Sequence, residues 1–146
     1  MRFLIILRGN EAIEGGALPT EQMFKDMIKF NEELVDAGVM LGGEGLHPAK
    51  EGTTIKYKDG EPVVAKGATP NLIVGFWLWK VKSLDEAIEW VKRIPHAEDE
   101  HGSIEIRQIF ETEEFSDIMS PETMAQEKKL YQRIADQNAK AASASS

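Results

Sequence analysis

The longest apolar stretch of the chain is Leu72-Ile73-Val74-Gly75-Phe76-Trp77-Leu78-Trp79. Successive side chains of a strand point to opposite faces, so Phe76 and Leu78 share one face while Trp77 and Trp79 share the other. Neither face is polar, and both must therefore be covered. Residues 3–7 are also apolar throughout, between Arg2 and Arg8. The sequence predicts two central strands.

Two helices flank these strands. The first begins after Thr20, a good N-cap, and ends before Gly38. Its apolar positions recur at helical spacing and are Met23, Met27, Phe30 and Leu34, with Phe24, Ile28 and Val35 widening the stripe. The second begins with the capping box of Ser83 and Glu86 and is closed by Pro95.

Two further strands and a hairpin complete the pattern. Strands are predicted from Val39 onward and over residues 103–110, and Asp59-Gly60 between two β-branched runs predicts a hairpin. The order strand, helix, strand, hairpin, strand, helix, strand indicates an α+β domain over residues 1–112. We expect a ferredoxin-like split β-α-β sandwich with a four-stranded antiparallel sheet and an inserted β-hairpin.

The second face of this sheet needs a cover that one chain does not supply. Two helices cover one face only, while both central strands are apolar on both faces. We therefore expect a homodimer whose sheets face each other around a barrel-like cavity, a dimeric α+β barrel.

Residues 113–138 form a C-terminal extension with a helix, which starts at Ser120-Pro121-Glu122. Its thin apolar stripe favours docking on a surface, such as that of a partner subunit. Residues 139–146 are small and polar, and we expect a disordered tail.

Composition narrows the class of protein. The 146 residues include 17 Lys and Arg against 25 Asp and Glu, a net charge of −8, and no cysteine. Disulfides, thiolate metal sites and cysteine nucleophiles are excluded. An acidic chain without a basic stripe is a poor candidate for binding nucleic acid or an anionic membrane. No signal peptide or membrane span is predicted, and we expect a cytoplasmic protein.

Five blocks of the sequence resemble the YCII-related proteins and, within them, the branch named after an Asp-Gly-Pro-Phe (DGPF) signature. The blocks are Phe30-Asn31-Glu32-Glu33-Leu34, Ala37-Gly38-Val39-Met40-Leu41, Glu44-Gly45-Leu46-His47-Pro48, Gly75-Phe76-Trp77-Leu78-Trp79-Lys80-Val81-Lys82-Ser83 and Ile104-Glu105-Ile106-Arg107-Gln108. The resemblance covers residues 1–115 and implies the dimeric α+β barrel fold. The family's biochemical function is largely unassigned, so the resemblance implies no reaction.

The chain departs from the family's sequence pattern at two places, and the roles of the family's residues at those places are not carried over. In place of the signature, the chain has Lys66-Gly67-Ala68-Thr69-Pro70-Asn71, so no role of the signature aspartate is carried over. Other YCII-related proteins have a His–Asp pair proposed as catalytic, with the histidine near the first helix. No histidine occurs between Leu18 and Gln22 here.

His47 is the leading candidate for acid–base chemistry, because histidine titrates near neutrality. Pro48 holds its backbone extended, and neighbouring glycines leave room for a ligand. Glu44 is a candidate catalytic partner, although a regular strand puts it on the opposite face unless a bulge occurs at Gly43 or Gly45. The alternative is that His47 ends a strand and bonds locally, with Glu44 solvated.

Four further residues are candidates for substrate binding. Arg8 could hold a substrate carboxylate, and Glu105 and Arg107 lie on the less apolar face of the last strand. The alternative is a cross-strand ion pair such as Glu105 with Arg8. Trp77, with Trp79, fits either an apolar pocket or a dimer interface.

No metal or cofactor is predicted. His96 and His101 bracket Glu98-Asp99-Glu100, but Pro95 ends the helix before them and the spacing fits no helical zinc motif. The glycines at 42, 43 and 45 open no helix and form no dinucleotide fingerprint. No nucleophile elbow, P-loop or H-E-x-x-H motif occurs.

Three functions remain open at this point. The leading hypothesis is a small-molecule enzyme of the isomerase, lactone hydrolase or dehydratase type, with His47 as acid–base group and Arg8 holding a small carboxylate or aromatic acid. The alternative is a non-catalytic ligand-sensing or regulatory interaction module. The third is a dimeric scaffold whose C-terminal helix docks another protein.

Overall fold

A computed structural model describes residues 1–67, 72–96 and 102–145 of the chain. The chain forms two compact units, Met1–Ile109 and Phe110–Ser146. In chain order, the elements are β1 (Arg2–Arg8), α1 (Glu11–Glu14), α2 (Glu21–Asp36), β2 (Met40–Gly45), β3 (Thr53–Lys58), β4 (Glu61–Lys66), β5 (Ile73–Lys80), α3 (Leu84–Val91), β6 (Ser103–Gln108) and α4 (Pro121–Ala144).

Four of the strands form one antiparallel sheet in the order β2-β5-β1-β6. The two strands that the sequence predicts to be apolar on both faces, β1 and β5, lie side by side at its centre. Both β-α-β crossovers place their helices on the same face of the sheet, which is the ferredoxin-like arrangement. The predicted α+β fold is confirmed.

The hairpin of β3 and β4 forms a separate two-stranded sheet. Asp59 and Gly60 at its tip have φ of 51° and 80°. Both values lie in the left-handed region that a two-residue hairpin turn requires, as the Asp-Gly dipeptide predicts.

The core lies between the sheet and helices α2 and α3. Phe30 of α2 packs edge-on against Trp77 and Trp79, with ring centroids 5.9 and 6.4 Å apart. The other buried members of this cluster include Phe3, Ile5, Leu34, Val39, Val81, Ala87 and Ile94. The sheet face that carries this core is the one covered by α2 and α3.

The helix starts agree with the predicted caps. The Thr20 hydroxyl accepts a hydrogen bond from Met23 N, and the Ser83 hydroxyl accepts one from Glu86 N. The structure adds the short helix α1, which the sequence analysis did not predict; the Asn10 side chain caps it by accepting from Ile13 N.

One expectation about α2 is wrong. Phe24, Ile28 and Val35 were expected to widen its core stripe, but their side chains are exposed. They lie roughly 100° around the helix from Phe30 and Leu34, which point at the sheet. Phe24, Ile28 and Val35 therefore form a second apolar line on the helix surface, separate from the stripe that packs on the sheet.

In residues 110–146, α4 begins at the predicted cap, where the Ser120 hydroxyl accepts from Thr123 N. The helix continues through Ala144, past residue 138 where the sequence analysis ends it. Alanines dominate this last part, and alanine has the highest helix propensity.

Candidate functional site

The face of the sheet opposite α2 and α3, here called the second face, carries a four-residue apolar patch. Leu4 lies opposite Leu78, and Ile6 lies opposite Phe76, in the register of β1 and β5. All four side chains are half-buried. The predicted apolar character of both sheet faces is thus present at the centre of the sheet.

Polar side chains border the apolar patch on both sides. On β6, Arg107 lies opposite Leu4 and Glu105 lies opposite Ile6. On β2, Glu44 lies opposite Phe76. The second face therefore combines an apolar centre with charged edges.

Arg8, Glu105 and Arg107 form one ion cluster at the β6 edge. Arg8 Nη2 lies 2.7 Å from Glu105 Oε2, and Arg107 Nη1 lies 3.3 Å from Glu105 Oε1. Each carboxylate oxygen thus accepts from a different guanidinium. The ion pair of Arg8 with Glu105, the alternative considered in the sequence analysis, is present in the structure.

The local backbone explains how Arg8 reaches Glu105. The β1–β5 register shifts between Leu7 and Arg8, at the end of β1. On the other side, a Cβ on Gly102 would come within 2.5 Å of the Arg8 carbonyl oxygen. A glycine at this position lets the start of β6 approach Arg8 closely.

Arg8 and Arg107 also lower the pKa of the Glu105 carboxyl group. Hydrogen bonds from Arg8 and then from Arg107 hold the pKa of Glu105 below its usual range. Glu105 therefore stays ionised at neutral pH, and with two guanidiniums around one carboxylate the cluster keeps a net positive charge.

Basic side chains outnumber acidic ones on the second face. Strand alternation places these charged residues there: Arg2, Arg8, Lys80 and Arg107 against Glu44 and Glu105. The whole chain, in contrast, has a net charge of −8. Among the described strand residues, the second face is therefore a basic surface on an acidic protein.

His47 lies outside this cluster. It follows the end of β2, its side chain is 91% exposed, and its Nδ1 lies 2.9 Å from Glu51 Oε2. Glu44 is exposed on the strand and forms no part of this pair. The local bonding of His47 is the alternative that the sequence analysis describes, and Glu51 is the partner that it missed.

The turn that carries His47 is fixed to α1. The Glu14 carboxylate accepts a hydrogen bond from Ala49 N at 2.9 Å, across 35 positions of sequence. The i, i+4 spacing of His47 and Glu51 could have suggested their pairing, but no sequence pattern marks a contact between Glu14 and Ala49.

Trp77 lies on the other face of the sheet from Arg8, Glu105 and Arg107. It is buried among the core residues, and its Nε1 donates to Asn31 Oδ1 at 2.9 Å. Trp77 and Trp79 were expected to line an apolar pocket or a dimer interface, whereas the structure places both under α2. Alternation fixes that they share a face, but not which face the helices cover.

The described residues contain no group of three or more metal-ligating side chains that could hold an ion. His101 and the acidic residues 98–100 lie outside the described ranges. Within those ranges, no helix is long and apolar enough to cross a membrane.

A family model described as the YCII-related domain matches residues 1–113. An uncharacterized protein of Rhizobium meliloti (strain 1021) is similar, with 28% identity over 92 residues, which cover 61% of this chain and 74% of the relative. The family match spans the sheet, both of its helices and the hairpin. The chain belongs to the YCII-related family.

Proposed function

We propose that the protein binds a small organic anion on the second face, in a cavity completed by a second copy of the chain. The observation that carries this proposal is the cluster of Arg8, Glu105 and Arg107 beside the apolar patch. A carboxylate would meet the cluster, and the apolar part of the ligand would lie on the patch. Small carboxylates and aromatic acids fit this combination.

Arg107 is the group best placed to receive the ligand. Its side chain is 70% exposed and gives one N–H to Glu105. A guanidinium has five N–H donors in a planar fork, so donors remain for a bidentate contact with a carboxylate. Glu105 restrains both arginines and thereby lowers the side-chain entropy lost when a ligand binds.

The homodimer supplies the cover that the patch needs. Leu4, Ile6, Phe76 and Leu78 form contiguous apolar surface on a face without α2 and α3, and such surface usually marks an interaction site. Two second faces that meet would bury both patches and enclose the charged edges. Light scattering should give about twice the chain mass of 16.3 kDa. A monomer at micromolar concentration would contradict the dimer.

Thermal denaturation with benzoate and the neutral benzamide tests the ligand class. Binding to the native state raises the melting temperature by mass action. We expect benzoate to stabilise the native chain and Lys58→Gln, a matched charge deletion on the exposed hairpin, but not Arg107→Gln. Benzamide should have little effect. No shift with benzoate at millimolar concentration, or an equal shift in Arg107→Gln, would show the proposal to be wrong.

A second candidate function is proton-transfer catalysis of the isomerase, lactone hydrolase or dehydratase type. It is favoured by the 2.9 Å contact of His47 with Glu51, since a carboxylate can orient an imidazole for proton transfer. Turnover of the bound acid that His47→Gln abolishes, with binding retained, supports an enzyme. Binding without turnover supports a ligand-sensing or regulatory module.

A further inference from the structure

The hairpin of β3 and β4 has one apolar face. The strand register pairs Ile55 with Val64 and Tyr57 with Pro62, and alternation puts these four side chains on the same side of the hairpin. We call the surface that they form the apolar hairpin face. The opposite face is mixed and carries Thr54, Lys56, Lys58, Glu61, Val63 and Ala65.

The apolar hairpin face is exposed in the single chain. The exposed fractions are 56% for Ile55, 77% for Tyr57 and 59% for Val64. Within the described part of the chain, β3 and β4 pair only with each other. A two-stranded hairpin is marginally stable in water unless a third strand or another element packs on it. The hairpin therefore has an apolar face that needs a cover.

The hairpin starts at the end of the sheet that carries Arg8. β3 follows β2, which ends at Gly45, and β4 precedes β5, whose first residue Ile73 lies opposite Arg8. Gly67 N donates to Gly52 O and closes the hairpin at its base. At about 3.3 Å per residue, each strand of the hairpin spans about 20 Å. An arm of this length can reach a second molecule that lies against the second face.

The apolar patch of the second face is too small to supply the apolar area of a dimer interface by itself. Its four residues are half-buried, and a large side chain has roughly 200 Å² of surface, so the patch offers at most about 400 Å². A stable interface buries about 800 Å² per partner, and about 500 Å² of this is apolar in homodimers. By the same measure, the exposed parts of Ile55, Tyr57 and Val64 add roughly 400 Å². The patch and the apolar hairpin face together supply enough apolar area.

We propose that the apolar hairpin face packs against the second copy of the chain and forms part of the homodimer interface. This inference rests on the homodimer of the proposed function, and it assigns a second contact surface to that dimer. The hairpin is covered only when two chains associate, so its stability is linked to dimerisation by mass action. Contacts of the hairpin therefore carry a large share of the dimer affinity.

Substitution of adjacent valines on the two faces of the hairpin tests this contact. Analytical ultracentrifugation of the full chain measures the dissociation constant of the dimer. We expect Val64→Thr to raise that constant at least fivefold, because each dimer contains the side chain twice. Val63→Thr, on the opposite face, is the matched control and should change it less than twofold. Threonine remains β-branched and keeps the strand propensity. An equal change in the two variants, or none in Val64→Thr, would overturn the proposal.

Hydrogen exchange gives a readout that needs no substitution. The amides of residues 53–66 should exchange more slowly at protein concentrations above the dissociation constant than below it, because an uncovered hairpin opens readily. Exchange of these amides that does not depend on protein concentration would contradict the proposal.

The outcomes separate this inference from the proposed function. A native dimer whose dissociation constant is unchanged in Val64→Thr refutes the hairpin contact alone, whereas a monomeric native chain refutes the homodimer as well. If Val64→Thr lowers the melting temperature and leaves the dissociation constant unchanged, the hairpin is covered by its own chain and the proposal is wrong. The effect of benzoate is measured independently of these readouts.

Discussion

Replacing each core tryptophan by phenylalanine should have unequal effects on stability. Trp77 and Trp79 are both buried on the same face of β5, and their ring centroids are 5.7 Å apart. The two substitutions remove the same atoms from neighbouring positions. They differ in hydrogen bonding, because Trp77 Nε1 donates to Asn31 Oδ1 while Trp79 Nε1 is buried without a partner among the described residues.

The expected difference in the free energy of unfolding between the two variants follows from the hydrogen bonding of the two indole N–H groups. Trp77→Phe loses a hydrogen bond, at a cost of about 1 kcal/mol, and leaves the half-buried Asn31 amide oxygen without its donor. Trp79→Phe removes an unsatisfied buried N–H, whose burial costs about 1–3 kcal/mol, and that cost disappears in the variant. We therefore expect Trp77→Phe to be less stable than Trp79→Phe by about 2–4 kcal/mol.

Urea denaturation followed by far-ultraviolet circular dichroism measures both variants without relying on tryptophan fluorescence. Equal protein concentrations keep any effect of dimerisation constant, and equal m-values show that the same surface unfolds. If Trp79→Phe is as destabilised as Trp77→Phe, or more so, the reasoning from hydrogen bonding is refuted.

Three further predictions concern the ion cluster, the core and the sheet. Because its folded-state pKa is lowered, Glu105 contributes stability that is present above its unfolded pKa of about 4.3 and is lost as pH falls through the folded value. The urea midpoints of the native chain and Glu105→Gln should therefore converge at acid pH; a constant difference would contradict this. Leu34→Ala, at a fully buried site, should cost about 2–5 kcal/mol in urea denaturation, whereas the exposed Leu18→Ala should change little. Gly75→Ala should lower the melting temperature, because a Cβ would lie 2.9 Å from the facing β2 carbonyl, whereas Gly45→Ala meets nothing within 4 Å; equal melting temperatures would contradict the close approach.

Local patterns were enough to locate most elements of the fold. The apolar runs of β1 and β5, the caps at Thr20, Ser83 and Ser120 and the Asp-Gly turn each depend on neighbouring residues only. Such features are encoded by short-range sterics and hydrogen bonding, and they can therefore be read without knowing the tertiary structure.

The candidate site was only partly predictable. Arg8, Glu105 and Arg107 were identified as candidates, and their contact with each other depends on the register of β1 with β6. His47 was identified by residue type, but its pairing with Glu51 depends on the turn after β2. The roles of Arg8, Glu105 and Arg107 in ligand binding and of His47 in catalysis stay predictions, which the binding and turnover experiments test.

The sequence by itself determined the order of the six strands and of helices α2, α3 and α4, though not the short helix α1. It also determined the apolar character of both sheet faces, because side-chain alternation is a property of each strand alone. Only the tertiary structure decided which face α2 and α3 cover. That choice placed Trp77 and Trp79 in the core, left Leu4 and Phe76 on the second face and exposed the outer line of α2. The physical reason is that covering a face is a contact between elements distant in sequence, and either apolar face satisfies the local pattern equally well.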